Sequence, residues 1–138
     1  MTYNIDWVLM LLGTAINMVI GSIWYSPVLF AKEWMDDINL VYEEEEIDIA
    51  RMVKVYVFLI ISLLFMGYLV GFLVMNLHII DMRMGLSLVL ILWIGSSLPV
   101  IIKRWGFEGK DIRICMINNV YNFICYLTLV MIYVRYGL

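Results

Sequence analysis

Four stretches of this chain, at about residues 5–25, 55–77, 84–102 and 114–134, are apolar almost without interruption and hold one charge between them, Asp6. Each is close to the roughly 20 residues that carry a helix across about 30 Å of hydrocarbon. Inside that layer no water is present to satisfy backbone N–H and C=O groups, so spans of this length fold as helices. The expected architecture is therefore an all-α integral membrane protein. Residues 1–138 form a single transmembrane domain of four helices, with a short amphipathic interfacial segment at about 28–40 after the first. Composition agrees: 64% of residues are hydrophobic and 15% charged, against about 45–50% and 25% in soluble domains. The first span reads as a retained helix, because its flank Met1–Asp6 carries no basic residue of the kind that opens a signal peptide.

Orientation follows from Lys and Arg. Lys32, Arg51 and Lys54 lie between the first two spans, and Lys103, Arg104, Lys110 and Arg113 between the last two. Only Arg83 and Arg135 lie on the other side. Both termini are expected outside and the basic loops in the cytoplasm, in the plasma (inner) membrane. The formal charge of −3 does not oppose this, since acidic residues contribute little to orientation. Much of it sits in Glu43–Glu46, read as a solvated run. Nucleic-acid binding is not expected of an acidic chain that is nearly all membrane-embedded. Cys115 and Cys125 stand ten residues apart on one helix, about 15 Å along its axis, too far to bond to each other. They read as buried apolar groups.

The first helix gathers Gly13, Thr14, Asn17, Gly21 and Trp24 within about a third of its circumference. A face of small and hydrogen-bonding residues lets another backbone come close in lipid. Gly67 and Gly71 repeat the pattern on the second helix. On the fourth, Cys115, Asn118, Asn119, Asn122 and Tyr126 fall within an arc of about 100°. Amides facing hydrocarbon are unfavourable, so this arc is expected to face protein or water. His78, the only histidine, lies in the short outer turn and reads as solvated.

Between the first and second spans, Pro27 stops the helix and pushes Ser26 toward extended geometry. Beyond it Phe30, Trp34, Met35 and Ile38 share a face opposite Lys32, Glu33, Asp36 and Asp37, the pattern of a helix lying in the interface plane. Pro99 is expected to kink or loosen the third span near its basic end. Phe107-Glu108-Gly109-Lys110 then forms a compact turn, against which the Trp24-Tyr25-Ser26-Pro27 corner is expected to pack. Glu108 and Lys32 are placed to pair across the two basic loops.

The stretch Gly21-x-x-Trp24-Tyr25-Ser26-Pro27-x-Leu29-Phe30-x-Lys32-x-Trp34 resembles the family known as domain of unknown function 1761. Trp93-x-Gly95-x-x-x-Pro99, the Phe107–Lys110 turn and the Asn118–Asn122 stretch support the likeness, which covers nearly the whole chain. Two positions depart from it: Ala31 stands where that family often has Gly, and Asn122 where it frequently has His. The resemblance implies a four-helix membrane protein and brings no activity. The Asn122 departure argues against a proton-handling group on the fourth helix.

Three functions are compatible with these residues. The first is a non-enzymatic structural or assembly bundle, a homo-oligomer joined through its small-residue and amide faces. The second is a channel or transporter, in which the polar faces of helices one and four line an oligomer axis through Asn17, Asn118 and Asn122. The third is a lipid-headgroup or small-molecule binder, or an enzyme, at the cytoplasmic interface, using Trp24, Tyr25, Lys32 and Glu108. No nucleophile–base pair, phosphate loop or metal-ligand cluster is present, so the first reading is preferred, with no catalytic residue, cofactor or metal. Its candidate packing or ligand positions are Asn17, Gly21, Trp24, Tyr25, Pro27, Lys32, Trp34, Glu108, Asn118 and Asn122.

Overall fold

The computed structural model describes residues 4–37 and 49–137. Ile38 and the Glu43–Glu46 run lie outside the described residues. Among those described the elements are α1 (Trp7–Trp24), α2 (Ala31–Asp37), α3 (Ile49–Asn76), α4 (Met82–Ile102), a π-helical stretch Lys103–Phe107 and α5 (Ile112–Tyr136). Four helices are long and apolar enough to cross a membrane, the third span running through the π-helical stretch to Phe107.

Local chemistry sets several boundaries. Three of these four long helices begin on an aspartate: Asp6 Oδ1 accepts from Val8 N–H at 2.9 Å, Asp81 Oδ1 from Met84 N–H at 2.8 Å, and Asp111 Oδ1 from Arg113 N–H at 2.9 Å. Each carboxylate satisfies a donor that the first helical turn leaves without a partner. α3 ends in a left-handed residue: His78 has φ 50°, and the next amide, Ile79 N–H, reaches back to Val74 C=O at 3.0 Å. Ile79 and Val74 are both buried, which completes a helix-ending motif with its hydrophobic contact. His78 is exposed, as expected, but it also turns the chain. Pro99 does not end α4. It lies inside the helix, and the tighter α winding gives way to π winding four residues later, where Glu108 N–H bonds to Lys103 C=O at 3.2 Å. Gly109, at φ 65°, then reverses the chain.

α5 is the central helix. α1, α3 and α4 all pack on it, and α1 also packs on α3. Close approach is made by glycines facing large side chains. An added Cβ on Gly13 would stand 2.5 Å from Leu129, one on Gly71 2.6 Å from the Tyr133 ring, and one on Gly85 3.1 Å from Val130. Gly67 faces Met10. The small-residue faces of α1 and α3 are thus occupied within the chain itself. The main core joins Leu9, Val70, Val74, Val89, Leu129, Val130 and Tyr133. A smaller one, at the end where the basic loops lie, joins Ile101, Ile114, Cys115 and Ile117 with Trp24 and Phe30.

α3 follows this bundle for only part of its length. From Ile49 to Ser62 every residue is exposed, and Leu63 is its first buried one. Its basic-end half stands away from α5.

Candidate functional site

The polar side chains that hydropathy scatters along the chain come together where α1 meets the first turns of α5. α1 ends at Trp24, three residues before Pro27, and the corner is closed by its own backbone. Ser26 N–H bonds to Ile23 C=O at 3.1 Å, Phe30 N–H to Trp24 C=O at 3.2 Å, and Ala31 N–H to Ser26 C=O at 3.1 Å. This fixes the two aromatics against α5. Trp24 Nε1–H donates to Ile117 C=O at 3.1 Å, and Tyr25 O–H donates to Asn118 Oδ1 at 2.9 Å. From α5, Tyr121 O–H donates back to Asn17 C=O at 3.1 Å. Gly21 admits that phenol: a Cβ there would lie 2.6 Å from the Tyr121 oxygen. Tyr25 and Tyr121 meet edge to face at 5.6 Å between centroids, and Trp24 stacks obliquely on Phe30 at 4.8 Å.

α2 docks on the same corner. Trp34 lies 6.0 Å from Tyr25 between ring centroids, Ala31 is buried, and Arg113 Nη2 donates to Glu33 Oε1 at 3.2 Å. Lys32 and Pro27 are exposed. The expected Lys32–Glu108 pair is replaced by two others, Glu33 with Arg113 and Glu108 with Arg104 at 3.6 Å. A cavity of about 400 Å³ opens here between α2 and the start of α5, lined by Glu33, Asp36, Lys110, Asp111 and Arg113. The corner therefore packs beside the turn before α5, with Arg113 rather than Glu108 as its ionic contact.

The three amides of α5 have separate environments. Asn118 is taken by Tyr25. Asn119 is buried, and its Nδ2 donates to Cys115 C=O at 2.8 Å within its own helix. Its own carbonyl accepts from Trp93 Nε1–H at 2.6 Å, tying α4 to α5. Asn122 is exposed. Both cysteines are free and buried.

A family model described as protein of unknown function (DUF1761) matches residues 8–134. The chain belongs to this family. No curated protein and no solved structure matches it. Gly21, Trp24 and Tyr25 of the first motif that carried the resemblance to DUF1761 meet Asn118 of the last one at this corner. Tyr121, which joins them, had no place among the expected positions. Its signal in the sequence is its spacing, one turn beyond Asn118 and one before Cys125, on the side of α5 that faces the glycines of α1.

Asn17 differs from the rest of the cluster. It is 1% exposed, yet neither its Oδ1 nor its Nδ2 has a hydrogen-bond partner. The contacts Gly13–Leu129 and Gly21–Tyr121 place it level with Cys125 on the antiparallel α5. Burying an amide without partners costs about 1–3 kcal/mol. Asn17→Leu keeps the branching and number of heavy atoms and removes the polar group, and is therefore expected to raise unfolding stability in detergent by about 1 kcal/mol. A loss above the roughly 3 kcal/mol that overfilling costs would show instead that the amide has a bonding partner in the folded protein.

Proposed function

We propose that this chain is a non-enzymatic, multi-pass membrane protein that acts by assembly. It is a homo-oligomeric bundle inserted in the plasma (inner) membrane with both termini outside and its basic loops in the cytoplasm. The observation that carries this reading is Asn122, an exposed amide at the middle of α5. α5 is 25 residues long, and Asn122 lies ten residues from its start, about 15 Å along the axis. That is half the depth of a hydrocarbon layer of about 30 Å. Hydrocarbon offers an amide nothing, so a polar group at this depth belongs against protein or water.

The permeation reading has less to stand on. It needs Asn17, Asn118 and Asn122 on one wetted surface, whereas Asn17 is buried between α1 and α5 and Asn118 is bonded to Tyr25. The lipid-binding or enzymatic reading asks Trp24 and Tyr25 to meet a ligand, and both are engaged in holding α1 to α5.

Native mass spectrometry of the protein released from lipid nanodiscs tests the proposal. One closed oligomer without a stoichiometric adduct is expected. A monomer that carries one bound lipid or small molecule would overturn assembly in favour of a binding function.

A further inference from the structure

We infer that Asn122 and the unpacked half of α3 form the contact with a second copy of this chain, in a parallel dimer whose two-fold axis runs along the membrane normal. This rests on the assembly reading and names its surface. The neighbour that ought to cover Asn122 is α3, because α3 and α5 run parallel with Gly67 beside Leu129 and Gly71 beside Tyr133. That register puts Ile60 level with Asn122 and Ser62 two residues above it, about 3 Å higher. Both are exposed. α3 leaves α5 at the level where the amide needs a partner.

The occupant follows from depth and from hydrogen-bonding capacity. Acyl chains can neither donate nor accept, and headgroups lie half a bilayer away. Two copies inserted with their basic loops on one side are parallel. A two-fold axis along the normal preserves depth, so the polar groups facing Asn122 are the same residues of the second copy, Asn122 at its own level and Ser62 about 3 Å above it. An amide has donors and an acceptor and can pair with itself, which is what a two-fold contact requires of a residue near the axis. The open side continues one turn above as a groove of about 320 Å³, lined by Phe65, Met66 and Leu69 of α3, Leu92 of α4 and Tyr126 of α5. Apolar side chains of the second copy fit there beside the amide.

Asn122→Cys and Ser62→Cys, made in the full chain in native-lipid nanodiscs, test the contact by oxidative cross-linking. The native thiols, both buried, stay in place. A disulfide-linked dimer is expected from Asn122→Cys alone and from mixed Asn122→Cys and Ser62→Cys samples. None is expected from Val19→Cys, which is 59% exposed on α1. Asn122→Leu should weaken association about threefold to about twentyfold, the range measured for one interhelical hydrogen bond in a membrane, and Asn122→Gln should restore most of it. An oligomer that persists with neither cross-link nor weakening overturns this contact and leaves assembly standing. A monomer at every protein-to-lipid ratio, including one with a lipid held in the groove, overturns both.

Discussion

Trp24→Ala is expected to cost the folded protein about 3 kcal/mol, measured as the shift in its unfolding midpoint in mixed detergent micelles. Removing a tryptophan from a packed site costs about 3–5 kcal/mol, and the half-burial of Trp24 places it at the lower end. Three losses coincide. The indole covers the small core of Ile101, Ile114, Cys115 and Ile117. It stacks on Phe30 and lies 6.3 Å from Tyr121 between centroids. Its N–H is also a polar link from the end of α1 to the backbone of α5. Trp24→Phe separates these effects. The ring largely remains, and Ile117 C=O keeps its own helical N–H, so no acceptor is orphaned and the loss should be about 1 kcal/mol. Equal losses for Phe and Ala would mean that the hydrogen bond, rather than the packing, holds the corner. No loss for Ala would mean that α2 and the end of α1 are not fixed to α5 as described.

Hydropathy makes the four long apolar helices legible, because each is a near-continuous apolar run of the length that a bilayer crossing requires. It reads boundaries less well. The second apolar stretch, expected from residue 55, belongs to a helix that is already formed at Ile49, because a helix needs no change of backbone where its sequence turns from apolar to charged at Arg51 and Lys54. Hydropathy registers the aspartates that begin α1, α4 and α5 only as charges. Their capping role depends on where the first free N–H groups fall.

Periodicity shows which residues share a face but not what covers that face. The glycines of α1 and α3 were readable as sites of close approach, and they are. That their partners are Leu129, Met10, Tyr121 and Tyr133 of the same chain is a property of the packing, in which α5 becomes the axis. The amide arc of α5 has the same history. Its members have one direction in projection, yet Asn119 turns back on its own helix, Asn118 meets Tyr25, and Asn122 is left open because α3 diverges below Leu63. Divergence of a neighbouring helix leaves no trace in the sequence of the helix it uncovers. The ionic contacts shifted for a related reason. Lys32 and Glu33 are adjacent, and the docking of Phe30 and Ala31 decides which of them meets α5.

Gly71→Ala is expected to destabilise the folded chain by about 1–3 kcal/mol, the range for overfilling a packed interior. The added carbon would lie 2.6 Å from Tyr133 Cζ, 2.8 Å from Cε1 and 2.9 Å from the phenol oxygen. The ring cannot swing away without disturbing its surroundings, because Tyr133 is 1% exposed and packs in the core with Val70, Val74 and Leu129. Gly67→Ala makes an internal comparison on the same helix. Its nearest contact is 3.2 Å from Met10 Cγ, and methionine has the rotamers to move aside, so the loss should stay below about 1 kcal/mol. Gly95→Ala meets nothing within 4 Å and should gain slightly, through the better helix propensity of alanine. Unfolding midpoints in detergent should therefore rank Gly71→Ala lowest, Gly67→Ala next and Gly95→Ala highest. The alternative role for the Gly67–Gly71 pair, as a face joining two copies, gives a different pattern. Gly71→Ala would then shift the oligomer distribution and leave the protomer's own midpoint unchanged. Read on one sample, midpoint and mass spectrum decide whether this pair builds the bundle or joins bundles together.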